Sequence, residues 1–515
     1  MTPNDPPAPA APDPPRPAPD HVTSAGSLER TLVRGVAWTA LVKWGSQALS
    51  WGAVVVLARL LTPGDYGLVG LATLYLGFVG ILTEGGLGTS IIAKREMTEA
   101  EIRQLNTVAV LLGLTGALLT CAAAIPLGWY FKAPALPLVM VALSINAVLS
   151  ALRLVPVAAL QREFRFRGLA LVEGAQAVAS TVVTLGLALA GARYWSLVAG
   201  GLAGTLAAAG VSRLLSPHGF SLPRVATLRR YYHFTRNVLV GRVSWYVYTN
   251  ADFIVAGRML GTAALGAYTF AWNIASVPVE KVTALVTRVT PAFFSRLQSD
   301  RAALARMLLN VTEGLVFVTL PLTVGMAVVA DDFVLAYLGA QWLEAVGPLR
   351  ILAMYATLRS IVTLLPQVLT MLDDTRFLMF NGIATALVLP VGFVIGSRWG
   401  GTGIAAAWVV VYPLFVVPLY VRCFRAVELS PAAYVRAVWP ATRGVLAMLA
   451  ALLAIRAALP ADLAPAIRLV VQMIVGAVVF FALGVLPMRH RLRDLYRLLR
   501  NRPGPASGAA PATSA

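Results

Sequence analysis

The fold is decided by residues 55–86, which read VVLARLLTPGDYGLVGLATLYLGFVGILTEGG. Two almost purely apolar runs flank the sequence TPGDYG, whose proline and glycines favour a tight turn. The second run is close to the roughly 20 apolar residues that a helix needs to cross a bilayer. Only Arg59, Asp65 and Glu84 are charged in this stretch. The segment therefore predicts two membrane-spanning helices joined by a short loop.

The composition of the whole chain supports a membrane protein. Hydrophobic residues make up 58% of its 515 residues and charged residues only 13%, whereas soluble proteins carry about a quarter charged residues. A water-soluble enzyme is therefore excluded, and two cysteines are too few for a disulfide scaffold. The net charge of +19 is typical of nucleic-acid binders, but so much apolar surface argues against a nucleic-acid partner.

Apolar segments of spanning length recur along the chain, and we predict an all-α polytopic membrane protein with about 14 transmembrane helices. The predicted spans are residues 36–58, 67–92, 107–126, 136–158, 169–191, 195–213, 238–258, 264–287, 310–330, 346–371, 377–396, 402–421, 441–459 and 466–487. Arginines and lysines are strongly concentrated in one alternating set of the connecting segments, which includes both termini. By the positive-inside rule, that set and both termini are predicted to be cytoplasmic.

The spans divide into two six-helix lobes followed by two extra helices. Proline and alanine dominate the N-terminal tail, which we expect to be disordered. Near the C-terminus, leucines at helical spacing among six arginines predict a basic amphipathic segment. The predicted parts are a tail at 1–30, an N-lobe at 31–215, a basic cytoplasmic linker at 216–236, a C-lobe at 237–425, helices 13 and 14 at 426–488, and an amphipathic segment with a disordered tail at 489–515.

An internal repeat relates the two lobes. Residues 254–269, IVAGRMLGTAALGAYT, align with residues 55–70 at a shift of 199, which pairs Arg59 with Arg258 and Gly67 with Gly266. The same shift places Lys43 on Arg242. An even number of spans separates the copies, so the repeat is parallel and predicts a pseudo-twofold axis along the membrane normal.

Charges inside the predicted spans point to a binding site, because a charge in hydrocarbon needs a partner, a cavity or a route to the interface. The deep cations Lys43, Arg242 and Arg153 favour an anionic ligand such as phosphate or pyrophosphate. Arg59 and Arg258 lie close to the predicted outer interface, where snorkelling is expected.

Further polar residues are predicted to line the same cavity or to balance these cations. Glu84, Glu173 and Asp252 are candidates for counter-ions or for coupling-ion sites, two alternatives that remain open, and packing between helices is the alternative for the uncharged groups. The full set of cavity polar or counter-ion residues is Gln47, Glu84, Glu173, Asp252, Asn273, Glu280 and Lys281. We expect no metal, no cofactor and no catalytic group, because the histidines all fall in tails or predicted cytoplasmic loops.

Three segments carry a resemblance to a known family. Residues 58–102, ARLLTPGDYGLVGLATLYLGFVGILTEGGLGTSIIAKREMTEAEI, resemble the N-terminal hallmark of Wzx-type polysaccharide-biosynthesis flippases. Residues 155–166 and 337–354 are similar to further parts of that family. Lipid II flippases and MATE drug exporters belong to the same superfamily.

The resemblance implies a V-shaped pair of lobes in a bacterial inner membrane. It also implies an undecaprenyl-pyrophosphate-linked oligosaccharide that alternating access turns from the cytoplasmic to the outer leaflet, for exopolysaccharide, capsule or O-antigen synthesis. Membrane lipids and other polysaccharide-assembly proteins are the further expected partners. An ion-coupled multidrug antiporter and a lipid II flippase remain alternatives. A polymerase or ligase is disfavoured because no long outer loop is predicted.

Overall fold

The computed structural model describes residues 52–486 except 85–86, 94–96, 225–238, 240–241, 244, 288–289 and 461. The predicted tails, the amphipathic segment and most of the first span lie outside the described residues, and so do Lys43 and Gln47. The described part is built of helices and contains no strand.

The first half of the described chain begins with a helical stretch at 52–60. Its helices are α1 (Pro63–Glu84), α2 (Leu87–Ala93), α3 (Glu99–Tyr130), α4 (Leu136–Arg162), α5 (Phe166–Leu189) and α6 (Tyr194–Leu215). The second half contains α7 (Ala251–Met259), α8 (Thr262–Thr287), α9 (Thr290–Arg296), α10 (Arg301–Phe333), α11 (Val346–Val362), α12 (Leu364–Met371), α13 (Thr375–Gly396), α14 (Gly400–Val410) and α15 (Pro413–Ala426). Two long helices follow, α16 (Pro431–Ala458) and α17 (Pro465–Phe480).

Helices of spanning length confirm the predicted fold class. Ten stretches of the described chain are long and apolar enough to cross a membrane. One of them, Thr375–Ala426, contains two of the predicted spans, because the chain turns at Gly400, whose φ of 68° favours glycine. The total of fourteen spans stays a prediction.

Helix α3 extends well beyond its predicted span. Its 32 residues correspond to a length of about 48 Å at 1.5 Å per residue, compared with a hydrocarbon core of about 30 Å. Thr98 and Glu101 form a capping box that fixes its start. The turns of α3 that precede its predicted span contact the basic linker, since the Gln104 side-chain oxygen accepts a hydrogen bond from the backbone N–H of Arg224 at 3.1 Å.

The repeat is visible where the two halves touch. A Cβ atom built on Gly67 would lie 1.7 Å from the carbonyl oxygen of Thr262, and one built on Gly266 would lie 1.8 Å from that of Pro63. The shift of 199 residues converts Gly67 into Gly266 and Pro63 into Thr262. The internal repeat therefore exchanges the two sides of this contact. Helices α1 and α8 can approach this closely only because both positions lack a side chain. The predicted twofold relation is confirmed at this contact.

Two adjacent carboxylates, the buried Asp332 and the partly exposed Asp331, attach the last two helices to the second half. Asp332, at the end of α10, pairs with Arg468 of α17 at 2.7 Å and accepts a hydrogen bond from Gln472 at 2.7 Å. Its neighbour Asp331 pairs with Arg350 of α11 and Arg456 of α16. A buried carboxylate needs such partners, and here they come from three helices that the sequence places far apart.

Candidate functional site

The two halves are joined along a seam formed by Arg59, Gly67, Arg258, Gly266 and Trp342. The carbonyl of Ala58 lies in the last turn of its helix, where backbone acceptors lack intrahelical partners. Two side chains from the second half satisfy it: the indole N–H of Trp342 donates at 2.7 Å and the Gln341 amide donates at 2.8 Å. Trp342 is fully buried in this position.

The repeat-related arginines of the seam each cross to the opposite half. Arg59 donates to the carbonyl of Tyr337 at 3.0 Å and also to that of Ala336, both in the segment that follows α10. Arg258 stacks on the ring of Tyr130, at the end of α3, with its guanidinium carbon 5.3 Å from the ring centroid, which is a cation–π distance. Snorkelling alone was expected for these residues, and the prediction missed these contacts between halves. The seam lies at the end of the bundle that the charge pattern predicts to face outward.

A chamber of about 590 Å³ opens beside the first half and is called the N-half chamber. Helices α1, α2, α4 and α5 form its walls, and the start of the seventh predicted span contributes Arg242. Its polar lining residues are Glu84, Ser150, Arg153, Gln161, Glu173, Gln176 and Arg242. Four of the residues predicted from the sequence, two arginines and two glutamates, therefore converge on one cavity.

The charged groups of the N-half chamber are held in different ways. Arg153 of α4 donates from Nη1 to the Gln176 side-chain oxygen of α5 at 2.7 Å. Arg242 approaches Glu84 at 4.0 Å, and both side chains are about half exposed, so this pair is weak. An adjoining cavity of about 240 Å³ shares Glu84 and Ser150 and adds Asn146 and three threonines to the polar surface. The arrangement offers cations together with hydroxyl and amide groups.

A smaller chamber of about 260 Å³ lies in the second half, between α8 and α11, and is called the C-half chamber. Arg359 pairs with Glu280 at 2.9 Å and stacks on Trp272 at 5.5 Å. Five hydroxyl side chains complete its polar lining: Ser276, Thr283, Thr287, Ser360 and Thr363. Its one arginine is thus paired with a carboxylate at hydrogen-bonding distance, unlike the 4.0 Å pair of Arg242 and Glu84.

Three predicted residues lie outside both chambers. Asn273 and Lys281 are exposed on α8 and line neither chamber. Asp252 is fully buried and accepts hydrogen bonds from Tyr268 at 2.7 Å and Trp408 at 3.1 Å. Within the described part of the chain, no ion pair joins Asp252 to a cation.

Three polar lining residues of the N-half chamber, Ser150, Gln161 and Gln176, were not predicted as site residues. Gln161 lies beyond the predicted end of its span at residue 158, and it reaches the chamber because α4 continues to Arg162. Gln176 belongs to the same polar face of α5 as Glu173, but the sequence does not show that its side chain contacts Arg153. Only the position of Arg153 on the neighbouring helix identifies it.

Comparisons with known proteins agree with this architecture. A family described as polysaccharide biosynthesis protein matches residues 56–347, more than half of the chain. The lipopolysaccharide biosynthesis protein WzxC of Escherichia coli (strain K12) is 25% identical over 397 residues, which cover 75% of this chain and 79% of WzxC. The succinoglycan biosynthesis transport protein ExoT of Rhizobium meliloti (strain 1021) is 25% identical over 492 residues, covering 93% of this chain and 98% of ExoT.

A solved structure supports the same fold. The lipid II flippase MurJ, in an inward closed conformation, matches with a TM-score of 0.66 at 14% identity, over 88% of this chain and 100% of that one. This likeness shows an all-α membrane transporter fold. With the family match over residues 56–347, it follows that this multi-pass membrane protein belongs to the polysaccharide biosynthesis protein family.

Proposed function

We propose that the chain is a flippase that moves a lipid-linked oligosaccharide, with undecaprenyl pyrophosphate as the carrier, from the cytoplasmic to the outer leaflet. It works by alternating access in a bacterial inner membrane, with both termini cytoplasmic, and does not change the substrate chemically. The observation that carries this proposal is the convergence of Arg153 and Arg242 on one polar chamber within the helix bundle.

The chemistry of the substrate explains why such a chamber is needed. A pyrophosphate or a sugar cannot enter hydrocarbon without losing its hydration, so it requires a polar route across the membrane. Guanidinium groups bind phosphate oxygens through parallel N–H donors, which suits Arg153 and Arg242. The ammonium group of Lys43, on the predicted first span, would bind phosphate as a point charge. The amide and hydroxyl groups of the N-half chamber and its adjoining cavity suit the hydroxyls of sugars.

The lipid part of the substrate has a suitable surface as well. An apolar groove of about 680 Å³ lies between α10, α16 and α17. Its walls include Phe317, Leu322, Met448, Leu469, Met473 and Phe480. Burial of an isoprenoid chain along this groove would leave the headgroup free to enter the bundle.

The seam gives a physical basis for alternating access. The contacts of Arg59 and Arg258 join the halves at one end of the bundle, whereas the chambers open between helices away from those contacts. Release of the substrate to the outer leaflet requires these seam contacts to separate. Because two repeat-related halves form them, a rocking motion of one half against the other can break both sets together.

The proposal is tested by deleting the gene in its own organism, freed of any redundant flippase, and measuring surface polysaccharide. We expect loss of the polysaccharide, which the wild-type gene restores and the Lys43→Ala, Arg153→Ala and Arg242→Ala variants restore poorly. Arg103→Ala is the matched control, since Arg103 lies outside the chamber and pairs with Glu99 on the surface of α3 at 3.7 Å. Normal polysaccharide in the deletion strain, with altered drug sensitivity, would instead indicate a drug exporter.

A further inference from the structure

Arg153 and Arg359 occupy equivalent places in the two halves but have different partners. They lie on α4 and α11, 206 residues apart, and the same shift relates the buried Leu143 and Leu349 on these helices. Arg153 donates to the neutral amide of Gln176 at 2.7 Å. Arg359 donates to the carboxylate of Glu280 at 2.9 Å. Both guanidinium groups line a chamber.

The difference decides which arginine can receive an anion. A carboxylate in contact with a guanidinium neutralises it, so an anion approaching Arg359 must compete with Glu280. An amide oxygen orients a guanidinium through a hydrogen bond and leaves its full charge in place. Among the ion pairs of the described residues, none involves Arg153. Glu84 and Glu173 line the same chamber, and Glu84 is the group that approaches Arg242.

The geometry of Arg153 also leaves room for a ligand. A guanidinium has five N–H donors in a planar fork, and the described structure uses one of them, from Nη1 to Gln176. The remaining donors include a pair that can bind two oxygens of a phosphate group at once. A methylene in place of the Gln176 amide would change the direction of the guanidinium fork. A carboxylate in that place would change its charge.

We propose that Gln176 is a positioning residue, which holds the Arg153 guanidinium toward the N-half chamber without neutralising it, so that Arg153 is the principal anion-binding group. The C-half chamber, with its neutralised arginine, does not bind the anion. This inference rests on the proposed function, because it assigns the pyrophosphate of that substrate to one of the two chambers.

The test measures binding of inorganic pyrophosphate to the purified full-length chain in nanodiscs of uncharged lipid. Gln176→Glu is expected to weaken binding tenfold or more, because it places a carboxylate on Arg153. Gln176→Met keeps the volume and the charge but removes the hydrogen bond, and an intermediate loss of about threefold is expected. Thermal unfolding of each variant checks that the protein is folded.

Glu280→Gln is the matched control, since it makes the reverse change at the equivalent arginine. It is expected to leave pyrophosphate binding unchanged or to strengthen it. Wild-type affinity in Gln176→Glu would overturn the proposal, and so would a tenfold loss in Glu280→Gln. If Gln176→Glu does not fold, equal affinities of Gln176→Met and the wild type would overturn the positioning role on their own.

Two further measurements separate this inference from the proposed function. The first measurement compares farnesyl pyrophosphate with inorganic pyrophosphate. Tighter binding of the farnesyl compound, with the same loss in Gln176→Glu, supports a lipid headgroup as the source of the anion. Equal affinities for the two compounds would contradict that source. In the deletion strain, Gln176→Glu is expected to restore little polysaccharide. Full restoration by this variant would refute the positioning role and leave the flippase intact, whereas normal polysaccharide in the deletion strain itself would refute the flippase.

Discussion

The seam and the two chambers differ in how closely they follow the internal repeat. At the seam the halves use repeat-related positions: Gly67 faces Gly266, and Arg59 and Arg258 both cross to the opposite half, though to different partners. In the chambers the equivalent arginines have unlike partners, an amide for Arg153 and a carboxylate for Arg359. Closure of a two-lobed transporter uses contacts that both lobes can make, whereas recognition of an asymmetric substrate requires the lobes to differ.

Substitution of the seam glycines should have the most severe consequence. In Gly67→Ala or Gly266→Ala the new Cβ would collide with a backbone oxygen less than 2 Å away, and overpacking of this kind costs about 1–3 kcal/mol or more. We expect both variants to lower the midpoint of thermal unfolding by several degrees, and by similar amounts, in detergent-solubilised protein. Gly80→Ala, in open space on the same helix, is the control and should be neutral or slightly stabilising. A marked difference between the two seam variants would contradict their equivalence.

Substitutions in the chambers should affect transport unequally. In the proposed binding mode, Arg153→Ala removes charge-assisted hydrogen bonds to the phosphate, each worth about 1.5–3 kcal/mol, so polysaccharide export should fall at least tenfold at equal protein level. Replacing both members of the C-half pair, with Arg359→Gln and Glu280→Gln together, removes no net charge and should reduce export less than threefold. Export rates in the complemented deletion strain provide the measurement. Equal losses would mean that the two chambers do not differ in function.

Substitution of the seam arginines should loosen the seam by unequal amounts. Arg59→Gln removes hydrogen bonds to two carbonyls, whereas Arg258→Gln removes one cation–π contact, which is worth about 0.5–2 kcal/mol. Labelling by a membrane-impermeant maleimide at Ala58→Cys, in a background without Cys121 and Cys423, reports on opening of the seam. We expect severalfold faster labelling with Arg59→Gln and a smaller increase with Arg258→Gln. Unchanged labelling in both would show that the arginines do not hold the seam closed.

The apolar runs and the repeat were readable from the sequence because they depend on local properties. A stretch without charges must become a spanning helix in lipid, and the pairing of Gly67 with Gly266 at a shift of 199 predicted the axis later seen in the contact of α1 with α8. Four of the predicted charged residues, Glu84, Arg153, Glu173 and Arg242, also meet in one chamber. Charged residues are rare inside apolar segments, and this rarity was enough to single out these four residues in the sequence.

The partner of each charged residue could not be predicted from the sequence. It depends on how each helix is rotated about its axis and on how far apart the helices lie. Gln176 lies 23 residues from Arg153 and Glu280 lies 79 residues from Arg359, and no spacing rule connects positions on different helices. The same holds for Asp252, whose hydrogen-bond donors among the described residues are Tyr268 and Trp408, with no ion pair to a cation there.

By itself, the sequence determined that this chain is a membrane-embedded helical protein with a parallel repeat and a few deep charges. Hydrophobicity and chain periodicity depend on residues that are close together in the chain, so they can be read directly from the sequence. The tertiary structure alone decided which arginine is neutralised, where the halves meet and which residues line each chamber. Those outcomes depend on side chains from separate helices approaching within hydrogen-bonding distance, which only packing brings about.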